Sequence, residues 1–463
     1  MLSRKFFYGL LAVGVLTGCS DKKDEDGGME EPKGDMEVMT PTQSKEYLQN
    51  TATEVLDLFK PADQKDIIAL AAFFEEEYAE YELPENFNFG DEEELDPVAP
   101  GIPNNYIKAL GQAARGDMDA LTRAAEVYTY RIDFKNFAGV YEPNTRQEAW
   151  VKTSDSSDLI FRFNNKSGER VELKVAQSGG TSEVEYTFLD TYEDYFADPS
   201  TGVYDWYDVT DKYEYYLSIP KTVNMTLTEG GKQLSASTVV SSIDTKGHTL
   251  SADVSATMCN LSLTAKVEGS DSKITANSTY YMNGNKVASA QAVVNGRDLC
   301  NIEKIEQLGN TESEEKIATL LSSMLDKGEC ATDVLGKVQV YGQVSYYKDM
   351  FEDMDSSFEY PNTKEVAKLG CQALCDRLNK NIKAQIRYNN TKTDQASILF
   401  QPYYDEWDAS SDYGWEYYPE AVLLFPDKTT YSIESYFEKF TNVSNKFETL
   451  LNSYEKMWES VRR

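Results

Sequence analysis

Two segments concentrate the side chains able to do chemistry. One runs from Tyr192-Glu193-Asp194-Tyr195-Phe196 to Tyr204-Asp205-Trp206-Tyr207-Asp208. The other runs from Tyr403-Tyr404-Asp405-Glu406-Trp407-Asp408 to Tyr413-Gly414-Trp415-Glu416-Tyr417-Tyr418. Aromatic faces stack on sugar rings and attract cations, and carboxylates accept hydrogen bonds from hydroxyls. Tyr204, Trp206, Tyr207, Tyr404, Trp407 and Trp415 are therefore candidate ligand-binding aromatics, with a glycan or a protein as the ligand. Asp205, Asp208, Asp405 and Asp408 are oxygen donors of the kind calcium takes. The competing reading is a pair of solvated loops whose rings fold back onto a sheet. On that balance no metal, cofactor or catalytic residue is assigned.

Other chemistries are thinly supplied. The only histidine is His248, in Thr245-Lys246-Gly247-His248, which reads as a turn before a strand. Metal motifs with two histidines are impossible, and Cys-rich zinc spacing is absent. A Ser-His-Asp site would have to use His248, and no Gly-x-Ser-x-Gly elbow occurs. No glycine-rich phosphate loop occurs either, so nucleotide chemistry is not expected. The net charge of −33 is spread along the chain. It repels phosphate backbones, so nucleic acid is not an expected partner. A carboxylate pair of the glycosidase type is open to this composition but has no assigned position.

Beyond Cys19 there are Cys259, Cys300, Cys330, Cys371 and Cys375. An odd number leaves at least one unpaired. Cys371 and Cys375 share an apolar stripe with Ala367, Leu378 and Ile382, so they read as buried free thiols rather than redox or metal ligands.

The elements that must position these groups follow from periodicity. Residues 40–128 read as helices. Thr40 is an N-cap, Pro41 fits the first helical position and Gln43 completes a capping box. Leu48, Ala52, Val55 and Phe59 follow at helical spacing, Lys60-Pro61 starts a second helix, and Ile107, Leu110, Ala114, Leu121 and Val127 mark a third stretch. Residues 129–300 read as strands. Val223 to Leu227, Leu234 to Val240, Leu250 to Met258, Leu261 to Val267, Ile274 to Tyr280 and Ala288 to Val294 each alternate apolar with polar. Asn283-Gly284 is a type I′ hairpin turn. This is an antiparallel meander with one buried and one wet face. Its inward residues are small, Ala recurring, which lets helices lie close. Residues 301–463 mix both types. Ile317 to Met324 reads as a helix stopped by Gly328, and Val338 to Tyr346 as a strand. Val366 to Ile386 reads as a helix, and Ile398 to Phe400 and Val422 to Phe425 as short strands. Phe437 to Trp458 forms a long amphipathic terminal helix packing on the core. The expected fold is α+β, with residues 40–463 as one body. Phe161-Arg162-Phe163-Asn164-Asn165 also echoes Ile386-Arg387-Tyr388-Asn389-Asn390.

The first residues carry an address. Arg4 and Lys5 precede an apolar run from Phe6 to Leu16, then Leu16-Thr17-Gly18-Cys19. A charged start and a short apolar run make a secretory signal, too short to span a bilayer. The segment resembles the lipobox of bacterial lipoproteins. The resemblance implies removal of residues 1–18 and lipidation of Cys19. Ser20-Asp21-Lys22-Lys23-Asp24-Glu25-Asp26 resembles the surface-export signal of lipoproteins from Bacteroidota, which implies an outer-membrane location facing the exterior, with the membrane as partner. Residues 19–39 read as an acidic flexible tether. Three functions stand at this point. The first is a non-catalytic surface lipoprotein that binds a ligand, glycan or protein. The second is a carboxylate hydrolase of extracellular polysaccharide. The third is a periplasm-facing structural or lipid-chaperone lipoprotein whose meander curves around an apolar ligand. An exposed Tyr/Trp platform would favour the first, paired inward carboxylates the second, and an apolar concave sheet with an open mouth the third.

Overall fold

A computed structural model describes residues 32–84, 127–197, 204–311, 314–345, 363–404, 417–438 and 440–462. Among them are seven α-helices and seventeen strands in one sheet. The first helices are α1 (Pro41–Leu58) and α2 (Lys65–Tyr78), joined through a 3-10 turn at Pro61–Gln64. Thr40 caps α1 with both arms of its capping box formed. Strands β1 (Val127–Asp133), β2 (Gly139–Asn144), β3 (Ala149–Ser154) and β4 (Leu159–Asn164) follow. Next come β5 (Arg170–Ala197), β6 (Tyr204–Glu229), β7 (Lys232–Asp244), β8 (Thr249–Met258), β9 (Leu261–Ser270), β10 (Lys273–Met282) and β11 (Asn285–Gly296). Helices α3 (Ile302–Gly309) and α4 (Glu314–Met324) lead into β12 (Leu325–Val334) and β13 (Val338–Ser345). The chain closes with α5 (Lys364–Asn381), β14 (Ile382–Tyr388), β15 (Asp394–Tyr404), β16 (Tyr417–Leu424), β17 (Thr430–Ser432), α6 (Ile433–Glu438) and α7 (Thr441–Arg462).

From β4 to β17 every strand pairs antiparallel with the next. The fold is the expected α+β meander. β1 lies parallel to residues 212–218 of β6, end to end with β7, which pairs with residues 222–229. Asn283 and Gly284 both have positive φ, 52° and 75°, as the I′ turn requires.

Several boundaries differ from the sequence reading. The acidic aromatic stretch expected as a loop is the outer half of a continuous β5–β6 ribbon, with Tyr195 opposite Trp206. Just inside it, the cross-strand aromatic pairs Tyr186–Tyr215 and Phe188–Tyr213 hold the ribbon together. The helix expected to reach Ile386 stops at Asn381, because Ile382, Ala384 and Ile386 alternate against β13. Gly328 is interior to β12, not a helix stop. The tether expected to run to Met39 ends earlier. Lys33 N–H donates to the Asn390 carbonyl at 2.7 Å, and Met39 N–H to Gln395 Oε1 at 2.8 Å. Of the third helical stretch, residues 107–121 lie outside the described residues, and Val127 begins strand β1 rather than ending a helix, because it pairs alongside Lys212 of β6.

The hairpin turns at one end of the sheet are fastened in order to a helical rod. At β14–β15, Tyr47 OH donates to Asn389 Oδ1 at 2.6 Å and Ser44 hydrogen-bonds Tyr388 OH. At β12–β13, Lys337 pairs with Glu54. At β8–β9, Asn260 Nδ2 donates to Asp63 Oδ2 at 3.2 Å, and at β6–β7 Lys232 pairs with Asp66 at 2.5 Å. α7 runs alongside in the same direction, through Lys446–Asp57, Tyr454–Gln64 and Arg462–Glu75 contacts. Two apolar cores sit under the two ends of this rod. Tyr388, Leu423, Phe425, Phe440 and Val443 pack with Leu48, Ala52 and Leu56 of α1. Tyr141, Trp150, Phe163 and Val171 pack with Ile67, Leu70 and Phe73 of α2.

The sequence echo falls on this design. Phe163 and Tyr388 hold equivalent places just before a turn, each under one helix of the rod. Arg162 reaches Glu172 at 2.7 Å and Arg387 reaches Asp394 at 2.6 Å, each across its own hairpin. Tyr388 is fully buried, and its hydroxyl serves Ser44, also buried. Removing that oxygen takes one of two partners from the buried Ser44 hydroxyl, which also bonds Tyr436, at a cost of about 1 kcal/mol. Tyr388→Phe is thus expected to lower the unfolding free energy read from urea denaturation by that amount, with a lower midpoint at unchanged slope. An unchanged midpoint would show that the rod is not held there.

Candidate ligand-binding face

The sheet curls towards one face. Ile243 N–H, at the end of β7, donates to the Ser182 hydroxyl of β5 at 3.2 Å, with β6 between them. A flat sheet would hold them about 10 Å apart. The Ser182 side chain shares a face with Ile219, and through β6 with Val223, Met225 and Leu227. That face is therefore concave. Both cores under the rod lie on it, through Leu227, Phe163 and Val171 on one side and Val340, Ile386 and Ile398 on the other. At the opposite end a strap crosses it. Leu299 N–H donates to the Asp271 carbonyl at 3.1 Å, Glu306 of α3 accepts from Thr187 N–H at 2.6 Å, and Asn310 accepts from Leu189 N–H at 2.8 Å.

Between rod and strap the concave face is laid out in cross-strand rows. One row reads Val239, Val254, Ala265, Ser278, Ala290, Thr332 from β7 to β12. The next reads Ser241, Ala252, Val267, Ala276, Ala292, Cys330. Taller side chains stand in the flanking rows, Leu263, Tyr280 and Val334 towards the rod and Ile243, Leu250, Ile274 and Val294 towards the strap, interrupted by Ser237, Ala256 and Ala288 on the first side and by Gly269 and Gly328 on the second. The result is a shallow apolar slot running across the strands. From β7 to β12 it is about 24 Å long, at about 4.8 Å per strand.

This slot is not sealed. Of its twelve residues only Thr332 is buried, and β8 and β9 contain no buried residue at all. On the same face Met225 is 39% exposed, Met258 40% and Tyr280 51%. The expectation of a uniformly buried face under helices thus holds only beneath the rod. The outer face is polar along β8 and β9, carrying Asp253, Ser255, Thr264, Lys266 and Glu268, but on β11 it holds the buried Ser289, Gln291 and Val293, so the strand expected to bury its alanines buries the opposite face. Large apolar side chains left in water on a concave surface mark a binding surface.

No family model, no curated protein and no solved structure matches this chain. The site must be judged on its own geometry.

The residues singled out by sequence are placed elsewhere. Tyr204, Trp206 and Tyr207 lie on the outer half of β6, opposite Ala197, Tyr195 and Asp194. Tyr404 ends β15, with β7 to β14 between the two segments. Its ring lies 5.2 Å from that of Tyr417, and Lys364 Nζ sits 4.4 Å above it. That ring belongs to a core with Cys371 and Cys375, not to an open platform. Trp407, Trp415, Asp405 and Asp408 lie outside the described residues. Among the described residues, no three of His, Cys, Asp and Glu converge as a metal site would require. His248 pairs with Asp271 at 2.7 Å across two neighbouring turns.

The recurring alanines of β8–β11 are the sequence signal of this floor, but a row of small residues equally suits a covering helix, which is the expectation they raise. The described helices instead cross the hairpin turns and the flanks.

The described cysteines are all free. Burial pushes the Cys375 thiol up to about 12, with neighbouring Cys371 adding to the effect. Burial likewise raises the Tyr436 phenol to about 12. Folding holds both groups protonated. Their contribution is complete below the ordinary values of 9.0 and 10.0 and is lost as pH rises towards about 12. The urea midpoint is expected to fall steadily above pH 9, and Cys375→Ala to remove part of that slope. A flat profile between pH 9 and 11 would contradict this.

Proposed function

We propose that this protein is a non-catalytic envelope lipoprotein that holds an extended acyl chain in the cross-strand slot. The supporting observation is the unsealed apolar floor of β8–β11 on a concave face. Its side chains are almost entirely hydrocarbon, so recognition there is non-directional, and a hydroxyl-rich glycan would find few hydrogen-bonding partners. Single acyl chains occupy about half of a bilayer core of roughly 30 Å, which fits a slot about 24 Å long. Each buried methylene contributes about 0.8 kcal/mol, before the cost of association. The lipobox resemblance supports the same reading, because it brings the slot to a source of acyl chains. On this reading Cys19 carries the anchor, in the outer membrane and facing the exterior.

Two experiments test the reading. Ala265→Trp and Ala290→Trp each place an indole in the slot. Displacement of a fluorescent fatty acid should show affinity at least tenfold weaker for both, with circular dichroism unchanged. Wild-type affinity in folded variants would end the slot proposal. Separately, Cys19→Ala in the expressing cell should move the protein from the membrane to the soluble fraction. Continued membrane association would remove the anchor.

A further inference from the structure

The second row of the slot does not stop at Ser241. On β6 it runs on to Lys221, which lies between Ile219 and Val223 on the concave face. The Ser241 hydroxyl donates to the Pro220 carbonyl at 3.3 Å, which sets β7 beside this point. On its other side Lys221 meets the β5 bulge at Gly179-Gly180, where both glycines have positive φ. A side chain begun at Gly179 would put its Cβ 3.5 Å from the Lys221 Cβ, so glycine keeps that flank low. Lys221 itself is exposed.

Its charge is alone on this face. From β5 to β13, between rod and strap, the described strands turn no other Lys, Arg, Asp or Glu to the concave side. Lysines of the outer face are matched along their own strands: Lys212 with Glu214 at 2.5 Å, Lys266 with Glu268 at 3.0 Å, and Lys327 with Glu329. The same places beside Lys221 hold Ile219 and Val223. Its neighbours across the strands are Ser241, Gln177 and Ser182. Among the described residues no carboxylate pairs with it. The far end of the slot has no such group. Beyond Cys330 and Thr332 come Gly342 and Val340 of β13, then Ala384 and Ile386 of β14.

We propose that Lys221 receives the anionic head of the acyl ligand, a carboxylate or a phosphate, while the hydrocarbon lies along the slot with its end towards β12. This rests on the reading of the slot as an acyl site. An ammonium offers three donors on a flexible stem, so either head suits it, and hydrogen bonds between ions are the stronger kind. The net charge of −33 disfavours anions over the chain as a whole. A preference for an anionic lipid over a neutral one must therefore come from this group.

The test uses the folded protein with N-phenylnaphthylamine as a neutral reporter in the slot. Palmitate, hexadecyl phosphate and hexadecanol displace it in parallel titrations at low salt. In the wild type the tighter anion is expected to bind about fivefold better than hexadecanol, and which anion is tighter identifies the head. Lys221→Met keeps the stem without the ammonium and should bring both anions down to the level of hexadecanol. Lys221→Arg should keep the preference. Equal binding of all three lipids by the wild type, or an anion preference that survives in Lys221→Met, would overturn the head assignment and leave the slot standing. If none of the three displaces the reporter, or if Ala290→Trp leaves displacement unaltered, the slot reading falls and the head assignment with it.

Discussion

From Ser44 to Asp66 the N-terminal helices rise about 35 Å, while the strands from β14 to β6 span about 38 Å at about 4.8 Å each. These lengths match, and the rod is pinned at both ends. Ser44 and Tyr47 hold the β14–β15 turn, and Asp66 holds the β6–β7 turn. A rod of fixed length laid across the turns sets how widely the sheet can open at that end. At the other end the α3 strap ties β11 back to β5. The sheet is therefore held curved at two edges, and its middle need not be filled to keep its shape.

The open middle is otherwise hard to account for. Leaving Leu, Val, Ile and Met side chains half in water forgoes stabilisation of about 25 cal/mol per Å². The helices of the N-terminus and C-terminus are committed to the rod and the flanks, where fully buried Tyr141, Tyr388, Leu423 and Phe425 form the cores. The floor of β8–β11 is made of Ala, Val and Ser in unbroken register. Taller residues stand beside that row in part, Leu263 and Tyr280 on one side and Leu250 and Ile274 on the other, with Ala256, Ala288 and Gly269 leaving gaps between them.

Much of this was legible in the sequence. The capping box at Thr40, the break at Pro61, the alternation through Val294 and the Asn283-Gly284 turn place α1, α2 and β6–β11 where they are found. Period and turn chemistry act locally, and local signals survive in a single chain. Curvature does not. Nothing local announces that Ile243 will reach Ser182, or that a single helix pair will serve so many turns. Residues 382–386 read as helix in the sequence and fold as strand, because Ile, Ala and Ile fit a helix stripe and a strand face equally. Tyr404 looked like part of a binding platform because composition cannot tell an exposed ring from one packed under Lys364 and Tyr417.

Rod, strap and slot then form one chain of cause. The rod holds the turns, the turns and strap hold the curve, and the curve presents an apolar floor that no described helix closes. The most direct test of that floor is photo-cross-linking with a diazirine-bearing fatty acid, followed by peptide mapping. The account predicts label concentrated on peptides between Leu250 and Val294. Label confined to the flanking cores, or none above background, would contradict it.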